Sequence, residues 1–198
     1  MNGKPVVIVL HGPSGVGKDS VIDVLRQRTG IHRATSSTSR PPRPGEIDGN
    51  HYHFLSKAAF EEKIARGDFI EYAQVYGDWK GLERREIEGP LRAGDDVIIR
   101  TDVQGARAWR DKIEGAVFIF LMAEDRDALR SRLVSRGSED ASSLVRRLEQ
   151  LEEELADLDN NNYVVVNHEG RVDLAATEIA GIIEQERENP DRRTPRLM

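Results

Sequence analysis

The densest chemistry in the chain lies at Gly12-Pro13-Ser14-Gly15-Val16-Gly17-Lys18-Asp19-Ser20. Glycines at these spacings let successive backbone N–H groups turn inward around an anion, and Lys18 can reach the β and γ oxygens of a triphosphate. An apolar run at 6–10 precedes the turn and an amphipathic stretch follows it. A helix opening there would aim its positive end at the same anion. Strand, glycines, lysine and helix together match a P-loop, so these nine residues are expected to bind ATP phosphates. One position departs from the motif, which wants Ser or Thr after the lysine to ligate Mg²⁺; here Asp19 stands first and Ser20 second. A carboxylate is also a hard oxygen donor and could hold Mg²⁺ directly or through water, although it adds negative charge near phosphates. An acid is also favoured at a helix start with no ligand at all. Both readings stay open.

The elements that must position this loop follow from periodicity. The run at 6–10 is continuous and β-branched, as expected of a parallel strand buried on both faces. Val21, Ile22 and Leu25 form one apolar helical face, and Gly30 closes that helix. Strand-type runs recur at 96–101, 116–122 and 163–166, with helix-like segments at 104–111, 125–136 and 142–158 between them. Val172, Ala175, Ile179 and Ile182 form a last amphipathic face. This alternation predicts an α/β fold with a central parallel sheet flanked by helices. The stretch from 35 to 82 breaks the rhythm: it is rich in Ser, Thr, Pro, Arg and aromatics, with strand candidates at 51–55 and 69–75. It reads as a small mixed subdomain inserted into the core. The expected division is core at 1–35, inserted subdomain at 36–83, core at 84–123, a mobile helical lid at 124–155, and core with a frayed tail at 156–198.

At 198 residues, with 38% apolar and 32% charged residues, the composition is that of an ordinary globular protein able to bury one core. No apolar run approaches the roughly 20 residues that span a bilayer. The first strand begins within a few residues of the N-terminus, which leaves no room for a signal peptide, and there is no cysteine for a disulfide or thiolate site. The cytoplasm is the expected compartment. With a net charge of −6 the chain advertises no nucleic-acid surface, so anionic ligands must be drawn by local arginine clusters. No membrane or protein partner is implied.

Such clusters occur in Ser36-Ser37-Thr38-Ser39-Arg40-Pro41-Pro42-Arg43-Pro44-Gly45-Glu46, followed by Gly49-Asn50-His51-Tyr52-His53-Phe54. Together with Phe69-Ile70-Glu71-Tyr72-Ala73-Gln74, Tyr76-Gly77, Asp102-Val103-Gln104-Gly105, Arg136-Gly137, Arg147 and Val166-Asn167, in this order, they resemble guanylate kinase. The likeness runs from the P-loop to about residue 170. It implies ATP and GMP as ligands, Mg²⁺ with the ATP, and in-line phosphoryl transfer to GMP. The residue types suit that chemistry. Arg40 and Arg43 can grip the acceptor's phosphate with guanidinium forks, and Tyr52 can add a phenolic donor. Glu71 can accept from guanine's N1–H and exocyclic amine, a donor pair adenine lacks, and Ser36 can meet the base edge. By the resemblance, Arg132, Arg136 and Arg147 close over the ATP phosphates and the transferring group, with Arg147 also serving the acceptor. Asn167 lies near the adenine, and Asp102 is a direct or second-layer partner of Mg²⁺ on the acceptor side. The catalytic set is Lys18, Arg43, Arg136 and Arg147.

The chain also departs from that family on the acceptor side. A tyrosine that touches the acceptor phosphate is Lys80, which can still serve it, and a hydroxyl that meets the base is Leu82, which cannot. The first acid of an Asp-x-Asp pair is Arg100. A kinase of ribose 1,5-bisphosphate, whose acceptor has no base, is similar at Gly17-Lys18-Asp19-Ser20 and is the alternative reading. A non-catalytic interaction module is the second alternative, against which the complete phosphate cradle argues. His51 and His53 flank Tyr52 without a third ligand, and Trp79 and Trp109 read as packing residues.

Overall fold

The computed structural model describes residues 3–124 and 158–198. The expected lid, with Arg132, Arg136 and Arg147, therefore lies outside the described residues except for its first residue, Glu124.

Strand β1 (Val7–His11) is buried along its whole length and sits at the centre of a parallel sheet. On one side it pairs with β7 (Val97–Arg100), with Leu10 opposite Arg100, and β7 in turn pairs with β2 (His32–Arg33). On the other side it pairs with β9 (Val117–Ala123), which carries β10 (Tyr163–Asn167) at the edge. Alternation along β1 divides the core. Ile8 and Leu10 pack toward α1 (Lys18–Thr29) and α5 (Val172–Glu188), through Val21, Ile22, Leu25, Ala175, Ile179 and Ile183. Val7 and Val9 pack on the other face against Ile87 of α3 (Arg85–Ala93) and Ala106 and Trp109 of α4 (Val103–Arg110). Helices on both faces explain the unbroken apolar strands, because neither face meets water. Gly30 at φ 71 closes α1 by donating its N–H to the Arg26 carbonyl, and the Asp102 carboxylate caps α4 by accepting from Gly105 N–H at 2.7 Å.

A second, mixed sheet has the order β4-β3-β6-β5, built from β3 (Ser37–Thr38), β4 (His53–Phe54), β5 (Phe69–Val75) and β6 (Asp78–Glu83). The β5–β6 hairpin turns on Tyr76 and Gly77, both at positive φ (52 and 88), as a two-residue turn of right-twisted strands requires. α2 (Lys57–Ala65), capped by Ser56, lies against this sheet through an aromatic column. Phe60 stacks on Phe69 at 4.2 Å and on Trp79 at 6.0 Å, and Tyr72 meets Phe69 and Trp79 edge-on or tilted. The register slips between Phe69 and Glu71, so Ile70 is a bulge. The slip matters for Glu71. Strict alternation would set it on the face of Phe69, but beyond the bulge it is Tyr72 that touches Phe69.

The segment after Glu188, expected to fray, is instead packed. Arg192 is buried, donating to the carbonyls of Glu186 (2.7 Å), Lys4 (2.8 Å) and Pro5 (3.1 Å). β11 (Arg196–Leu197) pairs antiparallel with β8 (Ile113–Glu114). A guanidinium that satisfies three backbone carbonyls near the start of β1 outweighs the proline-rich composition that predicted disorder.

Candidate active site

The phosphate cradle follows β1 and opens α1, as the motif requires. Gly12 (φ 142) passes so close to β9 that a Cβ would lie 2.1 Å from the Leu121 carbonyl oxygen. A Cβ on Gly17 (φ 95) would strike the Asn167 side-chain amide at 2.6 Å. At Gly12 the clash is with backbone and excludes any side chain, and at Gly17 the left-handed φ disfavours one. Around Gly15, by contrast, nothing lies within 4 Å of such a Cβ, so this limb of the loop faces open space where an anion would sit. Lys18 is buried to 6% exposure and donates to the carbonyls of Gly12 (2.6 Å) and Pro13 (2.9 Å), which curls the loop around its own ammonium. Asn167, expected near the adenine, braces the loop from the end of β10, its amide donating to the Val16 carbonyl at 2.7 Å. Its Oδ1 is buried without a hydrogen-bond partner among the described residues.

Asp19 does not stand alone. Arg33 Nη2 donates to its Oδ1 at 2.7 Å and Arg100 Nη2 to its Oδ2 at 3.2 Å. Asp102, at the end of the neighbouring strand, spends one oxygen on its cap and keeps the other open among the described residues. A hard cation that binds mainly through nucleotide phosphates and water needs few protein oxygens, and Asp102 can supply one.

The second sheet and the loops at its edge bring Arg40, Tyr52 and Lys80 together. The Arg40 guanidinium lies 5.1 Å from the Tyr52 ring centroid and 5.7 Å from that of Phe54, and Lys80 Nζ is 5.4 Å from the Tyr52 centroid. Glu46 grips Arg40 bidentately at 2.6 Å to each nitrogen and also accepts from Arg43 N–H. The hydrogen bonds from Arg40 and then from the Arg43 backbone hold the Glu46 carboxyl down to about 2. Arg43 is exposed, and its guanidinium makes no hydrogen bond among the described residues. Glu71 pairs with Lys112 Nζ at 2.6 Å, and Ser36 accepts from His53 N–H through its carbonyl. Leu82, which stands where the resemblance puts a base-meeting hydroxyl, is buried at 3% exposure among Val7, Val9, Ala34 and Ile87. Its side chain completes the core, so the departure there has a packing reason.

Sequence reasoning missed the residues that tie this sheet to the core. Glu86 of α3 lies between His53 (3.0 Å) and His32 (3.5 Å) and accepts from Thr35 N–H at 3.0 Å. Burial pushes its carboxyl up. Against that, His32, the Thr35 N–H and the charge of His53 hold it down to about 2. Glu83 is a second buried hub, accepting from Ser37 Oγ (2.7 Å) and Lys63 Nζ (2.7 Å) and ion-paired with Arg85, whose Nε lies at 2.9 Å. Arg33 and Lys112 were missed as well. Most of these partners are far apart in the chain, and the acids at their centre, Glu83 and Glu86, belong to no motif.

The family described as "Guanylate kinase" matches residues 3–186. The chain is 42% identical over 193 residues to "Guanylate kinase 2, chloroplastic/mitochondrial" of Oryza sativa subsp. japonica, covering 96% of this chain and 68% of that protein. It is 37% identical over 198 residues to "Guanylate kinase" of Clostridium perfringens, covering 100% and 91%. The fold is similar to the crystal structure of guanylate kinase from Anaplasma phagocytophilum, with a TM-score of 0.68 at 26% identity over 97% of this chain and 91% of that one.

Proposed function

The chain belongs to the guanylate kinase family, and from that premise we propose how the site described above carries out the ATP-dependent phosphorylation of GMP to GDP. The observation that supports this reading best is the intact cradle: glycines in left-handed conformations, one pressed against the β9 backbone, closed over a buried lysine.

Lys18 exchanges two neutral carbonyls for the β and γ oxygens of ATP, a stronger charge-assisted pairing. The acceptor phosphate is taken by Arg43, whose guanidinium makes no hydrogen bond among the described residues, and by Arg40, Tyr52 and Lys80, already assembled around one aromatic ring. Glu71 releases Lys112 and accepts from the guanine N1–H and amine, and Ser36 meets the base edge. An oxygen of the GMP phosphate attacks the γ-phosphorus in line. One P–O bond forms as the bond to ADP breaks, and its electron pair stays on the ADP oxygen. Catalysis of this kind is positioning and charge neutralisation, so no side-chain nucleophile is required. Mg²⁺, when bound, supplies neutralising charge on the transferring phosphates, and Asp102 is the residue best placed to hold it. Arg132, Arg136 and Arg147 are proposed to complete the cation set from a lid at 124–155, with residues 36–83 as the acceptor subdomain. The cytoplasm is the proposed compartment. Among the described residues no helix is long and apolar enough to cross a membrane.

A coupled ADP-release assay with MgATP against GMP, dGMP, AMP, UMP and ribose 1,5-bisphosphate tests the reading. Turnover with GMP and dGMP alone is expected. Turnover with the sugar bisphosphate alone, or with none of the five, would overturn it.

A further inference from the structure

The two positions nearest the cradle that depart from the expected pattern, Asp19 and Arg100, meet in space although 81 residues separate them. Arg100 closes β7, and its register opposite Leu10 sets it beside the approach to Gly12. In parallel sheets, ligands bind beyond the carboxyl ends of the strands, which is where Arg100 stands. Each Asp19 oxygen faces a guanidinium, Arg33 on one side and Arg100 on the other. The acid can therefore meet a metal only through an oxygen that already accepts from a guanidinium. Its two partners are not equivalent. Arg33 is largely buried and also reaches Asp23 at 3.7 Å, so it is anchored. Arg100 is 46% exposed and has no other acid partner among the described residues. One N–H on Asp19 orients its planar fork and leaves the remaining donors for an oxyanion.

Building on the kinase reading, we propose that Arg100 is a further phosphate-neutralising residue for the transfer, and that Asp19 is a positioning residue that aims it and does not ligate the metal. The chain thus replaces a hydroxyl and an acid beside the cradle with an acid and a cation. A guanidinium at the end of β7 enters where the first acid of the pair was expected, and a carboxylate in the first turn of α1 holds it.

The test uses the full chain and the variants Arg100→Gln, Arg100→Lys, Asp19→Asn and the double variant Asp19→Asn with Arg100→Gln. Steady-state kinetics with MgATP and GMP are combined with calorimetric titration of ATP in EDTA, where no metal contributes. Arg100→Gln should lower kcat about a hundredfold and weaken metal-free ATP binding about tenfold, with Arg100→Lys recovering part of both. Asp19→Asn should lower kcat about tenfold and leave the half-saturating Mg²⁺ within about twofold, and the double variant should match Arg100→Gln because Asp19 has nothing left to aim. The proposal is overturned if Arg100→Gln keeps kcat within about threefold, or if Asp19→Asn raises the half-saturating Mg²⁺ about tenfold whichever residue stands at 100. Failure of the unmodified chain to turn over GMP would instead overturn the kinase reading, and the EDTA titration would still report on Arg100.

Discussion

Replacing Glu86 by Gln keeps the side chain's size and one acceptor oxygen while removing the charge that joins α3 to β2 and β4. The carboxyl is 90% shielded, its side chain being 10% exposed, and it is held at about 2 against an ordinary value of 4.5. At 1.36 kcal/mol per unit, that difference corresponds to about 3 kcal/mol of stability. The folded-state value is depressed, so this contribution is fully present above the unfolded value of 4.5. It is lost as pH falls from there through about 2. At pH 7 the variant should therefore be less stable by about 2–3 kcal/mol, since an unpaired His53 and His32 would remain beside a neutral amide. The gap should close toward pH 2, where the parent carboxyl is itself protonated. Urea unfolding at pH 7, 5, 4 and 3, followed by circular dichroism, measures the difference directly. A gap that stays constant across this range, or one below about 0.5 kcal/mol at pH 7, would refute the assignment of Glu86 as a charged tie between the two sheets.

Gly81→Ala places a methyl 2.6 Å from the Glu71 carbonyl oxygen and 2.9 Å from the Phe69 ring, so the bulge that orients Glu71 must shift. KM for GMP should rise more than KM for ATP in the same kinetic assay. Tyr76→Asn relieves a fully exposed aromatic of its left-handed conformation and should raise stability by roughly 0.5–1 kcal/mol in thermal unfolding, with kcat unchanged. Arg43→Ala removes a guanidinium with no hydrogen bond among the described residues; stability should stay within about 0.5 kcal/mol while kcat with GMP falls on the order of a hundredfold or more. Unchanged kcat in that variant would remove Arg43 from the acceptor site.

The cradle and the parallel core were legible in the sequence because both are local. The P-loop is a nine-residue spacing that dictates its own backbone, and a strand buried on both faces declares itself as an apolar run. Helices α2 and α3 were harder to read. The first lies inside a Ser/Thr/Pro-rich stretch, and the second carries Gly89 and Pro90, residues that ordinarily end helices. The tail misled for a similar reason, since composition reports what a segment prefers in isolation and says nothing of the carbonyls that Arg192 finds across the fold.

By itself, then, the sequence determined the α/β core, the phosphate loop and the residue types available to a phosphate and a base. Only the tertiary structure decided how those residues are engaged: Asp19 between two arginines, Glu71 turned by a bulge and paired with Lys112, Leu82 taken into the core, and Glu86 joined to two histidines. The reason is range. Hydrophobic period and backbone turn are set by neighbours a few residues apart, whereas an ion pair requires two charges to arrive within about 4 Å from distant parts of the chain. No local pattern encodes that meeting.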